Sequence, residues 1–150
     1  DLVRSRGLGD VYKRQVQELL SNLKSDPKNY DIIVQTGNAY FDIGLYQEAI
    51  EYYKKANDMQ PVPDILIDIG VCYFSLGQLD SALAAMNKGI QYRPDHKQGL
   101  YNIGIVLYNL KDYEGAIGKW TQLIETHPNT VEAIRVKEYI NEIKNLQTGT

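Results

Sequence analysis

The sequence predicts an all-α protein in which antiparallel helix pairs follow one another along the chain. Three observations support this fold class. Gly37, Gly70 and Gly104 are spaced 33 and 34 residues apart, and alanines and prolines recur in phase with them. Apolar residues recur three and four positions apart, as they do on one face of a helix. Each block ends at a proline and has a turn sequence near its middle, so each block is predicted to contain two helices.

The repeated pattern consists of a glycine and a tyrosine, then an alanine, a bulky residue and a proline. Its defining members are Gly37, Tyr40, Ala49 and Pro61; Gly70, Tyr73, Ala82 and Pro94; and Gly104, Ala116, Trp120 and Pro128. This pattern resembles the tetratricopeptide repeat (TPR) family. The resemblance implies a right-handed α-solenoid of three repeats with a C-terminal capping helix. It also implies a protein-binding scaffold, which we expect to be of bacterial type.

The first fifteen residues differ in character from the rest of the chain. Residues 5–15 are SRGLGDVYKRQ, which resembles one reading frame of a sequencing adapter. We therefore predict that residues 1–15 are a non-native scar, to be set aside in functional reasoning. The alternative is a natural polar arm. If the run is a scar, the natural N-terminus and any signal, anchor or fused domain that it carried lie upstream.

Residues 16–29 are predicted to be the second helix of a truncated upstream repeat. Val16, Leu19, Leu20 and Leu23 form an amphipathic stripe, and Asp26-Pro27 ends the helix.

Three full repeats follow, at residues 30–62, 63–96 and 97–129. The first is predicted to place helices at about 30–43 and 46–59, the second at 63–76 and 79–91, and the third at 97–110 and 113–126. Gly44 and Gly77 form the first two turns, whereas Lys111 takes that place in the third. Gly37 and Gly70 are predicted to face Ala49 and Ala82, because small residues let two helices approach closely.

Residues 130–146 are predicted to form the capping helix, opened by a capping box of Asn129 and Glu132. Its apolar side is Val136, Ile140 and Ile143, and a polar outer side would close the solenoid. Residues 147–150 are expected to be a frayed tail.

Composition limits the function further. Hydrophobic residues make up 43% and charged residues 23% of the chain, which is typical of an ordered domain. The net charge is −3, and without the four basic and two acidic residues of positions 1–15 it is −5. This balance argues against a nucleic-acid partner, which requires clustered Lys and Arg. No apolar run is long enough to span a membrane. The compartment stays open: cytoplasmic, or periplasmic or membrane-anchored through a missing N-terminus.

No catalytic or metal site is predicted. Cys72 occupies a small-residue position in a first helix, so packing is favoured over reactivity. His96 and His127 lie a full repeat apart in turns, so we expect exposed side chains that cannot share a metal. Asp64 and Asp68 lie on one helical face without a basic partner, which indicates a solvated acidic patch. We predict a non-enzyme with no cofactor.

The resemblance implies that the first helices line a concave groove. The predicted groove residues are Val34, Asn38, Phe41, Ile67, Val71, Phe74, Tyr101, Ile105 and Tyr108, with Asp31, Asp64 and Asp68 beside them. The expected partner is a protein segment or helix with apolar anchors and some Lys or Arg. Two alternatives remain open: an assembly subunit whose groove is filled by its own N-terminal segment or by a second copy, and the recruiting domain of a larger enzyme.

One subset of the family grips acidic chaperone tails with a clamp of lysines, asparagines and an arginine. The corresponding positions here are Val34, Asn38, Asp68, Gln98 and Asn102. Only Asn38 matches, and Asp68 would repel a carboxylate, so we predict that acidic tails do not bind.

Overall fold

The computed structural model describes residues 2–149; the side chains of residues 2–6 and 8 lie outside that description. The described residues form eight α-helices and no strand, which confirms the predicted all-α class. The helices are α1 (Leu2–Ser25), α2 (Tyr30–Asp42), α3 (Tyr46–Met59), α4 (Pro63–Ser75), α5 (Leu79–Tyr92), α6 (Lys97–Asn109), α7 (Tyr113–Thr126) and α8 (Val131–Thr148). Helices α2 to α7 end within one residue of the predicted bounds.

Side chains cap several of the helix starts. Asn29 accepts a hydrogen bond from the Ile32 amide at α2, and Asp112 accepts one from the Gly115 amide at α7, at 2.9 Å. These bonds satisfy amides that have no partner inside the helix. Pro63 opens α4, where a missing N–H costs nothing.

The turn inside each repeat has one geometry, a Schellman motif. In the first repeat, the Gly44 amide donates to the Phe41 carbonyl and the Leu45 amide donates to the Tyr40 carbonyl, both at 2.9 Å. The turn requires a left-handed residue, which Gly44 supplies at φ 76° and Gly77 at φ 74°. Lys111 adopts the same conformation at φ 63° in the third repeat. A non-glycine residue there is strained by about 1 kcal/mol.

The two helices of each repeat pack through a glycine and one large side chain. A Cβ added at Gly37 would lie 2.7 Å from the Tyr53 ring, and one added at Gly104 would overlap the Trp120 indole. A Cβ added at Gly70 would likewise overlap the Met86 side chain. The glycines therefore make room for the bulky residue four positions beyond the signature alanine, and the predicted pairing with alanine is only part of this contact.

Buried clusters run the length of the helix array. Val16 and Leu19 of α1 pack on α2, and a second cluster joins α3 to α4. A third joins α4, α5 and α6 around Met86, and a fourth joins α6, α7 and α8 around Trp120. Each helix thus buries its apolar side against its neighbours along the chain, as in a solenoid.

The N-terminal helix is longer than predicted. It continues from Ser25 back to Leu2 because no proline interrupts that stretch, but only Val16 and Leu19 of its described side chains are buried. The origin of residues 1–15 stays a prediction, and Asp1 lies outside the described residues.

The C-terminal helix differs from its prediction at both ends. Thr130 caps α8, because its Oγ1 accepts from the Ala133 amide at 3.2 Å; Asn129 does not. Glu132 instead forms an ion pair with Lys97 of α6 at 3.0 Å. The helix extends to Thr148, where frayed residues were expected, while Thr150 lies outside the described residues.

One face of α8 is buried and consists of Ala133, Val136, Ile140 and Ile143.

None of the helices described over residues 2–149 is both long and apolar enough to cross a membrane.

We predict opposite effects for the same substitution at two helical glycines of the third repeat. Gly104→Ala should lower the free energy of unfolding by about 1–3 kcal/mol, because the new methyl group overlaps Trp120. Gly118→Ala should raise it by about 0.5–1 kcal/mol, because Gly118 has open space and alanine favours a helix. Urea denaturation measures both. Equal effects at the two positions would contradict this packing.

Candidate ligand-binding groove

The first helices α2, α4 and α6 carry the predicted binding residues. Each second helix packs on its own first helix, and α4 also contacts α6 directly. We call the solvent-facing side of α2, α4 and α6 the groove face. Its predicted members that reach solvent are Val34, Asn38, Phe41, Val71, Phe74, Tyr101, Ile105 and Tyr108, together with Asp31, Asp64 and Asp68.

Most apolar residues of the groove face are half-buried. Val34 and Phe41 pack against the α3–α4 cluster, and Val71 and Phe74 pack against the cluster around Met86. These side chains therefore contribute to the core and also present surface to a ligand. The more exposed members are polar or aromatic: Asn38, Asp31, Asp64 and Tyr108.

Ile67 does not belong to the groove face, contrary to the prediction. Its side chain is only 3% exposed. Its Cδ1 lies close to Gly89 and Gly99, so the residue fills the space between α4, α5 and α6. The absence of side chains at these two glycines lets α5 and α6 cover Ile67.

Asp64 and His96 form a contact that the sequence analysis missed. His96 is 3% exposed, whereas an exposed turn residue was predicted. Its Nδ1 accepts from the Gly99 amide at 3.0 Å, which caps α6, and its Nε2 lies 2.5 Å from Asp64 Oδ1. Arg93 adds a longer ion pair to the same carboxylate at 3.9 Å. Through His96, which caps α6, Asp64 links α4 to the start of α6, and the predicted patch of unpaired carboxylates is wrong at this residue.

His127 also departs from the exposed position predicted for it. It is half-buried, and its Nδ1 lies 2.8 Å from the Thr126 hydroxyl.

Asp68 is a carboxylate on the groove face without an ion-pair or hydrogen-bond partner among the described residues. It is half-buried on α4, and no cation or hydrogen-bond donor of the described residues contacts it. Burial, and then the charge of Asp64, raises the pKa of Asp68 to about 6. A carboxylate that is partly desolvated and unpaired favours a cationic group brought by a ligand.

Two titratable side chains near Asp68, Tyr53 and Cys72, do not donate a hydrogen bond to its carboxylate. The Tyr53 hydroxyl donates to Asn38 Oδ1 at 2.7 Å, and burial together with Asp68 raises the pKa of Tyr53. Cys72 is fully buried, and burial and Asp68 raise the pKa of its thiol to about 12. Cys72 is therefore a packing residue, as predicted, and a thiolate is not accessible there.

Tyr139 and Glu142 of α8 extend the groove face at its C-terminal end, and the sequence analysis missed both. They line a cavity together with Ile105 and Tyr108 of α6. Tyr139 follows the buried Val136 by three positions, which puts it beside the buried stripe of α8. An aromatic residue at that spacing was the available indication.

Comparison with known proteins identifies the class of fold. Residues 44–101 and residues 98–130 match models of the tetratricopeptide repeat, so the matches extend over more than half of the chain. The chain belongs to the tetratricopeptide repeat family. Repeats of this family mediate protein–protein interaction, and its adaptor members are non-catalytic scaffolds.

Curated relatives include larger proteins. The Hsp70-Hsp90 organizing protein of Triticum aestivum is 30% identical over 126 residues, which are 83% of this chain and 22% of that protein. The CTR9 homolog of Arabidopsis thaliana is 27% identical over 117 residues, which are 75% of this chain and 11% of that protein. The chain spans about a quarter or less of these relatives.

Solved structures share the fold. MamA superimposes with a TM-score of 0.81 at 24% identity, covering 97% of this chain and 85% of that chain. The first TPR of Spaghetti (RPAP3), bound to an HSP90 peptide SRMEEVD, superimposes with a TM-score of 0.71 at 25% identity, covering 79% of this chain and 94% of that chain.

We predict that Asp68→Asn stabilises the fold in a pH-dependent way. The pKa of about 6 in the folded protein is above the ordinary aspartate value of 3.8, so the wild type loses stability as the pH rises through this window. The stability of the variant relative to wild type should therefore increase by about 1–2 kcal/mol from below pH 4 to pH 7. Asp31→Asn, an exposed change on α2, is the matched control. Urea denaturation at several pH values measures the effect, and a pH-independent difference would contradict it.

Proposed function

We propose that this chain is a non-catalytic scaffold that holds one segment of a partner protein on its groove face. The observation that carries the proposal is Asp68, a half-buried and unpaired carboxylate on the groove face, which also presents the half-buried apolar residues Val34, Val71 and Phe74. The apolar surface would anchor the segment, and the carboxylate would select its charge. The preferred ligand is an extended segment or helix with apolar anchors and at least one Lys or Arg.

The energetics favour a cation at Asp68. The carboxylate has already lost part of its hydration on folding, so pairing with a ligand cation costs less further desolvation than pairing at an exposed site. An apolar anchor contributes about 1.5–3 kcal/mol when it is fully buried. A few such anchors and one ion pair would give a micromolar complex.

The same features disfavour an acidic ligand. The HSP90 peptide in the Spaghetti structure contains Glu-Glu and Asp. The family resemblance implies a clamp with basic residues for such acidic tails. The corresponding positions here hold Val34 and Asp68, which offer no positive charge. Chaperone tails are therefore not the proposed partner, although organizing proteins are among the relatives.

We also propose that this chain has no catalytic function of its own. The titratable groups on the groove face are carboxylates and tyrosines, and the single cysteine is enclosed in the core. His96 uses both ring nitrogens in structural contacts. No group among these is left as a nucleophile with an adjacent base.

Selection from a random peptide display library tests the proposed partner. Wild-type protein should enrich peptides that combine apolar residues with Lys or Arg, and Asp68→Asn should lose the basic preference. Binding of a selected peptide should weaken as the pH falls below about 6, because Asp68 becomes neutral.

The peptide SRMEEVD is the matched acidic probe, and we expect no complex tighter than about 10 μM. Enrichment of acidic peptides, or tight binding of this one, would contradict the proposal.

Self-association is the second candidate, and the outer side of α8 favours it. Val131 is 68% and Ile134 is 60% exposed there, although a polar side was predicted for a capping helix. Apolar side chains at the end of a solenoid can stack on another copy.

Light scattering over a wide concentration range tests self-association. A dimer that Ile134→Asp abolishes, and Lys137→Asp does not, would support the assembly. A monomer at every concentration would exclude it and leave the scaffold function.

A further inference from the structure

A cavity of about 240 Å³ lies at the C-terminal end of the groove face. Its lining comes from three helices, α6, α7 and α8, and consists of Ile105, Tyr108, Asn109, Trp120, Tyr139 and Glu142. The volume is below the range of about 300–1,000 Å³ typical of small-molecule sites. A single side chain of a ligand is therefore a better match than a whole cofactor.

Three of the six lining residues of the cavity are aromatic. The Trp120 ring centroid lies 5.4 Å from that of Tyr139 and 6.4 Å from that of Tyr108. Tyr108 is 37% exposed, so the array reaches solvent on the groove face. Clustered aromatic rings attract cations through the negative potential of their faces, and a site that excludes water strengthens this attraction.

The polar groups of the cavity act as acceptors. The Asn109 side-chain amide donates to the Ile105 carbonyl at 2.8 Å, which leaves the Asn109 carbonyl oxygen for a ligand. The Trp120 indole N–H is occupied by the Tyr101 carbonyl at 3.1 Å. Glu142 contributes a carboxylate that makes no ion pair with any described residue.

We propose that this cavity binds the guanidinium group of an arginine side chain, presented by the partner segment that occupies the groove face. The partner's position rests on the proposed function, whereas the chemistry of the cavity does not. An arginine side chain combines a planar face for the aromatic rings with several N–H donors for Glu142 and Asn109. Lysine is a weaker match, because its ammonium group is compact, strongly hydrated and unable to stack.

One arginine of the chain, Arg135, lies near the cavity, one turn before Tyr139 on α8. Its interaction with Tyr101 raises the pKa of its guanidinium. It is not among the residues that line the cavity. We therefore assign the guanidinium group to another molecule.

Trp120 is the single tryptophan of the chain, so its fluorescence reports on this cavity directly. The probe is Nα-acetylarginine amide, and its neutral counterpart is Nα-acetylcitrulline amide, in which a urea replaces the guanidinium. We expect a saturable change in Trp120 emission with the arginine probe and none with the citrulline probe at equal ionic strength.

Two variants of α8 localise the effect. Glu142→Gln should weaken binding of the arginine probe about tenfold, because a charge-assisted hydrogen bond is lost. Glu138→Gln removes the same charge one turn away at an exposed position outside the cavity and should leave binding unchanged. Both positions are exposed, so neither change should affect folding; thermal denaturation verifies this.

Equal responses to the two probes, or an affinity unaffected by Glu142→Gln, would overturn the proposal. The experiments distinguish failure of the arginine site from failure of the proposed scaffold function. If peptides are selected on the groove face but the arginine probe does not change Trp120 emission, only the arginine site is contradicted. Binding of the arginine probe without any selectable peptide would support the site and remove the scaffold proposal.

Discussion

The rest of the structure depends on one repeated contact. In each repeat, a glycine of the first helix packs against a large side chain of the second helix. It recurs as Gly37 with Tyr53, Gly70 with Met86 and Gly104 with Trp120. A side chain at the glycine would force the pair apart, and the next pair would then lose its register. The third contact reaches further, because the Trp120 N–H also donates to the Tyr101 carbonyl at 3.1 Å. The same glycine contacts thus set the distance between the helices and the position of the groove face.

Much of the fold follows from local features of the sequence. Helices α3 and α7 have the predicted bounds, because turn residues and prolines mark both ends of each helix. The exceptions have equally local causes. Thr130 rather than Asn129 is the cap, and Glu132 forms an ion pair with Lys97 in place of the predicted capping box. That pair joins residues 35 positions apart, and a reading of neighbouring residues does not detect it.

The candidate site was less predictable, because exposure depends on what the next repeat covers. Helical spacing identified the side of α4 that contains Ile67, but Gly89 and Gly99 allow α5 and α6 to close over that residue. Asp64 was expected to be free, yet the His96 imidazole reaches it from the turn before α6. Asp68, four residues later on α4, has no such neighbour. Two carboxylates with similar sequence contexts therefore differ in role because of contacts made beyond their own helix.

Two carboxylates without an ion pair, Asp68 and Glu142, limit the ligand further when they are considered together. Asp68 lies on α4 and Glu142 on α8, with α6 between them along the array. Steps of about 8–10 Å between successive helices of this face would place the two residues roughly 16–20 Å apart. An extended chain advances about 3.3 Å per residue, so two cations separated by about five or six residues could reach both carboxylates. Apolar residues between the cations would then lie over Val71 and Ile105. A shorter basic segment could satisfy only one carboxylate, so the spacing itself would contribute to selectivity.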